Sequence, residues 1–149
     1  MKLPEPLFAI INPIVGLLLR SPVHGFWSKS LMLITFTGRR SGRRFTTPVR
    51  YVVVDDVVRC YTSSKNLWWR NLIGGVSVDL LIGGRWAAYQ TDVIVNDPAA
   101  VKLALQHYLA IYPQDSAYHE IRLNRDKTLN EQDLDRAALE AVVVEARRR

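Results

Sequence analysis

The chain has 149 residues, enough for one hydrophobic core, and 48% are apolar against 23% charged, which excludes a disordered or low-complexity chain. A single cysteine, Cys60, excludes an internal disulfide framework and fits a reducing, cytoplasmic compartment. The net charge of +6 is lopsided: residues 1–54 hold eight Lys/Arg and one acid, whereas residues 55–149 hold twelve bases and thirteen acids. Fifteen of the twenty bases are Arg, whose planar fork suits phosphate and carboxylate groups, so an anionic partner is expected at the first third of the chain.

In chain order, residues 7–19 are the most hydrophobic stretch and are too short to span a bilayer, which takes about 20 apolar residues. Within it, Asn12-Pro13 joins an N-cap to a first-turn proline, which predicts a helix over about 12–20 that Pro22 stops. That helix is read as docked on the fold, with interfacial membrane contact as the alternative. A short helical piece is expected over 25–29. Strands then follow at Leu31–Thr37, at 45–54 and, after a reversal at Asp55-Asp56, at Val57–Ser63. Here Cys60 reads as a buried strand cysteine. Residues 66–72 carry helical character and close at Gly74-Gly75. Segments 76–82 and 85–95 form a second hairpin around Gly83-Gly84.

Asn96-Asp97-Pro98 repeats the cap-then-proline pattern and opens a helix over 99–112, with Val101, Leu105, Leu109 and Tyr112 on one face and Pro113 at its end. A further helix is expected over 130–140, with Thr128 and Glu131 at capping-box spacing. It leads to a last strand over 141–146 and a solvated tail, Arg147 to Arg149. Short strands joined by two-residue turns predict a mainly β fold, an antiparallel sheet closing on itself with helices outside, in one domain over 1–149.

Three segments could carry chemistry. The first is Thr37-Gly38-Arg39-Arg40-Ser41-Gly42-Arg43-Arg44. Its glycines allow a tight turn with exposed N–H groups, and its Arg and Ser side chains add donors, so it could hold a phosphate or carboxylated tail. It could equally be a basic hairpin loop that keeps an edge soluble. The second is Thr62-Ser63-Ser64-Lys65-Asn66-Leu67-Trp68-Trp69-Arg70-Asn71, in which the tryptophans could stack on a planar ring or plug the core. The third is the run after Pro113, where Tyr118 could donate a proton over a pocket mouth or simply lie on the surface. His24, His107 and His119 are scattered, without metal-ligand spacing, and no GxSxG elbow exists. Basic charge gathered in one loop, with adjacent tryptophans, also argues against nucleic acid.

Taken in order, the 12–20 helix, the strand ending in Gly38-Arg39-Arg40-Ser41-Gly42, then Thr46-Thr47-Pro48, Lys65, Trp68-Trp69-Arg70-Asn71-Leu72 and Asp97-Pro98 resemble the deazaflavin-dependent nitroreductases and quinone reductases. The resemblance covers about residues 8–125. It implies an FMN-binding-like split β-barrel that takes coenzyme F-420, an 8-hydroxy-5-deazaflavin with a phospholactyl-glutamate tail, and transfers hydride to a quinone or nitro compound. Arg39, Arg40, Ser41 and Gly42 would meet the tail, and Thr47, Pro48 and Val49 would run beside the ring. Thr62, Ser63, Ser64 and Lys65 would bind phosphate and ring edge, Trp68 and Asn71 would close the pocket, and Tyr118 would act on the acceptor. The alternatives are an FMN-dependent reductase or a non-catalytic split barrel carrying flavin, haem or lipid. A homodimer is consistent with the same superfamily.

Overall fold

The computed structural model describes residues 31–149. The helix expected over 12–20, its docking or membrane contact, and the helical piece over 25–29 lie outside the described residues.

Alternation of apolar side chains builds the strands. Strand β1 (Leu31–Thr37) sends Met32, Ile34 and Phe36 to one side, and all three are buried. Strands β2 (Arg44–Val54) and β3 (Val57–Ser63) are joined through Asp55-Asp56, at φ 50 and 65. Two successive left-handed residues let a two-residue turn follow the twist of the strands, and Asp tolerates that region better than most residues. Gly83-Gly84 does the same, at φ 59 and 79, between β4 (Ser77–Ile82) and β5 (Arg85–Ile94). Helix α1 (Pro98–Ile111) starts at Asp97, whose carboxylate accepts from the Ala100 N–H. Helix α2 (Glu131–Glu140) runs straight into β6 (Ala141–Arg148). Single 3-10 turns occupy Trp68–Leu72 and Pro113–Ala117.

The six strands close into an antiparallel barrel in the order β1-β2-β3-β6-β5-β4, with β4 pairing back onto β1 from Leu33↔Leu81 to Thr35↔Asp79. This is the mainly β class that the strand pattern predicts, an antiparallel sheet closing on itself with flanking helices. The last strand of the chain lies between β3 and β5. Closure leaves no row of unpaired backbone groups at an edge.

The described residues form two cores. Inside the barrel, Met32, Ile34, Phe36, Cys60, Leu80, Val142 and Val144 meet Trp68, Trp69 and Leu72 from the first 3-10 turn. Between the barrel wall and the helices, Val52 and Val143 meet Leu105, Leu109 and Leu134. Each such side chain contributes about 1.5–3 kcal/mol when fully buried. Burial pushes the Cys60 thiol up to about 12, so it stays protonated and serves as packing.

Two expectations at the C-terminal end are corrected. The last strand, expected over 141–146, runs on to Arg148: Arg147 and Arg148 pair with Gln90 and Tyr89, while Arg147 to Arg149 stay exposed as expected and Arg149 Nη1 donates to Ser77 Oγ at 2.8 Å. The long strand β5 offers backbone partners that far out, and arginine heads can stay in water while their backbone pairs. Helix α2 is capped by Asn130, whose Oδ1 accepts from the Asp133 N–H at 2.9 Å. Thr128 lies two residues before that cap, and its hydroxyl instead accepts from Asn124 Nδ2 at 2.9 Å and donates to Asp126 Oδ1 at 2.6 Å.

Candidate functional site

The Gly38–Arg44 loop is closed by its own hydrogen bonds. Gly38 N donates to Arg43 O at 2.7 Å, Gly42 N to Gly38 O at 2.9 Å, and Arg43 N to Ser41 Oγ at 3.2 Å. Both glycines are required. A Cβ on Gly38 would stand 2.8 Å from Phe45 Cε2 and from Ser41 Oγ, and Gly42 sits at φ +70. The fourth N–H, on Arg39, donates to Asn71 Oδ1 at 2.9 Å. This narrows the expectation of exposed backbone donors: four of the loop's N–H groups are satisfied within the protein, and among the described residues no acceptor takes the N–H of the exposed Arg40 or Ser41. Beside those two donors the loop offers guanidinium to solvent. Arg39, Arg40 and Arg43 are exposed. Arg43 lies 5.6 Å over the Phe45 ring, and Arg44 pairs with Asp79 at 2.8 Å. Among the described residues, Arg39 and Arg40 have no carboxylate partner.

Strand alternation divides the next group. Thr47 is buried and Val49 packs against the barrel-interior core, whereas Pro48 takes the outer side. Contact of residues 47 and 49 with a ring outside the barrel would therefore run through their backbone.

Residues 62–72 act as a bracket. Ser64 N donates to Glu140 O at 2.7 Å, and Asn66 N to Ser63 O at 3.0 Å. Lys65 N donates to Ser63 Oγ at 3.2 Å, while the Lys65 side chain is exposed. Asn66 Nδ2 donates to Thr62 Oγ1 at 2.7 Å and to Tyr118 Oη at 3.1 Å. At the other end Asn71 receives Arg39 N and donates from Nδ2 to Trp68 O at 2.9 Å. One segment thus joins the arginine loop to Tyr118. Of the two readings left open for the tryptophans, packing describes both indoles. Trp68 is 5% exposed with its ring 6.0 Å from Phe36, and Trp69 is buried beneath Arg70. Trp68 can reach a ligand only through that small open fraction.

The Pro113–Ala117 turn is held from behind by side chains. Tyr108 donates its hydroxyl to Asp115 Oδ2, and Asp115 pairs with Arg50 Nε at 2.7 Å. The Arg50 guanidinium lies 4.7 Å over the Tyr112 ring. Tyr108 stacks on Tyr61 with centroids 4.2 Å apart and planes 4° from parallel, and Tyr61 Oη donates to Ala104 O at 3.1 Å. Burial, reinforced by the Asp115 carboxylate, raises the Tyr108 hydroxyl far above its usual range, and burial pushes Tyr61 up to about 12. Both remain neutral phenols. Sequence reasoning missed this network. Its only signals were Arg50, a base within a strand, and a tyrosine seven residues before an aspartate across a proline.

Tyr118 itself follows the turn, half-buried, with its ring edge-on to His119 at 4.9 Å. It lines a shallow recess with Ser63, Lys65, His119 and Glu140. The structure therefore brings Ser63, Lys65 and Tyr118 together, and separately seats Asn71 under the Arg39–Gly42 loop. Thr47, Val49, Thr62 and Trp68 turn inward.

The fold is similar to that of a protein of unknown function from Agrobacterium tumefaciens str. C58, at TM-score 0.57 and 14% identity, covering 88% of this chain. The chain spans 56% of that protein's length. A second solved structure, a domain-swapped dimer, matches at TM-score 0.53 and 17% identity over 94% of this chain and 98% of its own. Likeness at this identity speaks for the fold. No curated protein matches by sequence. The sequence pattern of a reductase family does match, over residues 20–126. With most of the barrel and the whole arginine loop, bracket and Tyr118 segment inside that match, the chain belongs to the F420H(2)-dependent quinone reductase family.

Proposed function

We propose that the protein binds coenzyme F-420 against the arginine loop and reduces an electron-poor acceptor, a quinone in the first instance and nitro compounds as a further class. The observation that carries this reading is the 62–72 bracket, which ties the exposed arginine loop to a hydroxyl at a recess. The donor set suits an anionic coenzyme. Among the described residues Arg39 and Arg40 have no carboxylate to compete with a phosphate, and the Lys65 side chain is exposed. Charge-assisted bonds of this kind contribute about 1.5–3 kcal/mol each.

When bound, the reduced deazaflavin supplies a hydride. This chain's residues do the rest. Arg39, Arg40, Ser41 and Gly42 hold the tail, with Asn71 bracing the loop beneath them. Pro48 and the backbone of Thr47 and Val49 run along the ring, and Ser63, Ser64 and Lys65 bind at its edge. Thr62 and Trp68 support those positions from inside the barrel. Tyr118 gives its hydroxyl proton to the acceptor oxygen as charge develops there.

Tryptophan fluorescence titration of the ligand-free protein with oxidised F-420 and, separately, with FMN tests the reading. Quenching is expected with the deazaflavin, and menadione is then expected to reoxidise the reduced coenzyme catalytically. Preference for FMN, or binding without turnover, would overturn it in favour of a flavin enzyme or a carrier.

A further inference from the structure

Asn66 has two amide hydrogens, and both are used: one goes to Thr62 Oγ1 at 2.7 Å and one to Tyr118 Oη at 3.1 Å. Thr62 is buried at 3% exposure, so the amide is anchored to the barrel and not to a mobile surface group. An amide nitrogen donates and does not accept. The Tyr118 oxygen therefore receives this bond, and its own hydrogen must be directed elsewhere. The His119 ring stands edge-on beside it at 4.9 Å. Tyr118 also lines, with Ser63, Lys65 and Glu140, a recess into which that hydrogen can be directed.

We infer that Asn66 is a positioning residue for acceptor reduction: by donating to the phenol oxygen it reserves the Tyr118 O–H for a substrate oxygen in the recess. The inference rests on the reading of Tyr118 as proton donor. In the step concerned, the acceptor takes the hydride and its two electrons. The Tyr118 O–H bond breaks as a new O–H bond forms on the acceptor, and a solvent proton restores the phenol. A residue that accepted from Tyr118 would draw the proton inward and block the step, although the packing would be the same.

Asn66→Asp makes that reversal with nearly the same shape. The carboxylate can accept from both Thr62 and Tyr118, so both contacts survive with their direction inverted. The expected result at neutral pH is a fall in kcat with menadione of the same order as in Tyr118→Phe, about 100-fold or more, with coenzyme affinity retained. The double variant Asn66→Asp/Tyr118→Phe should be no slower than Tyr118→Phe. Asn66→Ala, which removes the donor without supplying an acceptor, should also be slow and covers the case in which the carboxylate variant folds poorly. A readout without coenzyme or turnover is the 13Cζ resonance of Tyr118 in tyrosine-labelled protein, assigned by its loss in Tyr118→Phe. It should move in opposite directions for a phenol that accepts from residue 66 and one that donates to it. If Tyr118→Phe turns over normally, the donor reading falls and this inference with it. If Tyr118→Phe is slow while both Asn66 variants keep the parent rate, or if the resonance does not move in Asn66→Asp, the inference alone is overturned.

Discussion

The Gly38–Arg44 loop and the segment around Pro113–Ala117 are held by opposite means. The loop is shaped by backbone hydrogen bonds and two obligatory glycines, and Arg39, Arg40 and Arg43 are exposed on it. The segment after α1 is shaped by side chains: Asp115 between Tyr108 and Arg50, and Tyr108 face to face with Tyr61. The difference follows from what each is proposed to do. Coulomb attraction to a phosphate decays slowly with distance and tolerates a loose partner. A hydroxyl aimed at one lone pair has steep angular requirements and needs rigid support behind it. Asn71 and Asn66 stand at the two ends of the bracket that couples the loose element to the firm one.

The largest expected effect comes from breaking the firm side. Asp115→Ala strands Arg50, whose side chain is 30% exposed, and leaves the Tyr108 hydroxyl without its acceptor. A loss of about 2–4 kcal/mol in urea denaturation is expected, with kcat falling further than coenzyme affinity. A loss below about 0.5 kcal/mol would erase the contrast between the two elements. On the loose side, Arg39→Ala/Arg40→Ala should weaken coenzyme binding by about 1–3 kcal/mol while stability stays within about 0.5 kcal/mol. Raised salt should reproduce part of that weakening in the parent protein. Unchanged affinity at low salt would remove the loop from the site.

A smaller effect extends the firm side into α2. Arg122 donates to Asp133 from its backbone N at 3.0 Å and from Nε at 2.8 Å. These bonds lower the Asp133 carboxyl from 3.8 to about 2. On acidification the unfolded chain takes up this proton first. The stability contributed by Asp133 is thus complete above about pH 4 and is lost as the pH falls toward 2. Melting temperatures recorded across that window should drop more steeply for the parent than for Asp133→Asn, and parallel curves would disprove the assignment. The smallest effect belongs to the exposed Arg44–Asp79 pair, with side chains 51% and 47% exposed. Asp79→Ala should cost about 0–1 kcal/mol.

Much of the fold was legible because it is written locally. Asp55-Asp56 and Gly83-Gly84 announce tight hairpins, and Asp97-Pro98 announces α1. The closure was legible only as a class. Pairing of β4 with β1, and the entry of β6 between β3 and β5, join residues far apart in sequence, and no local propensity specifies them. In the candidate site, residue types pointed to Arg39, Lys65 and Tyr118 because charge and hydroxyls are visible in a sequence. Asn66, Asp115 and Tyr108 went unnoticed as partners, since a hydrogen bond across 52 residues, as between Asn66 and Tyr118, leaves no spacing signature. Strand parity, which turns Thr47 and Val49 inward and Pro48 outward, could have been read from the alternation and corrects the even treatment of those three positions.

The place of β6 has a consequence for how the molecule is made. A ribosome releases this chain from its N-terminal side, so the slot between β3 and β5 stays open until residues 141–148 emerge. Until then two strands carry unpaired backbone edges, the state most exposed to wrong pairing with another nascent chain. Helix α2 shortens that interval. It ends at Glu140 and β6 begins at Ala141 with no residue between them, so a helix that forms early on local contacts would deliver the closing strand to its slot. Even a short insertion at that junction should lower the yield of folded protein more than it lowers the stability of the molecules that do fold.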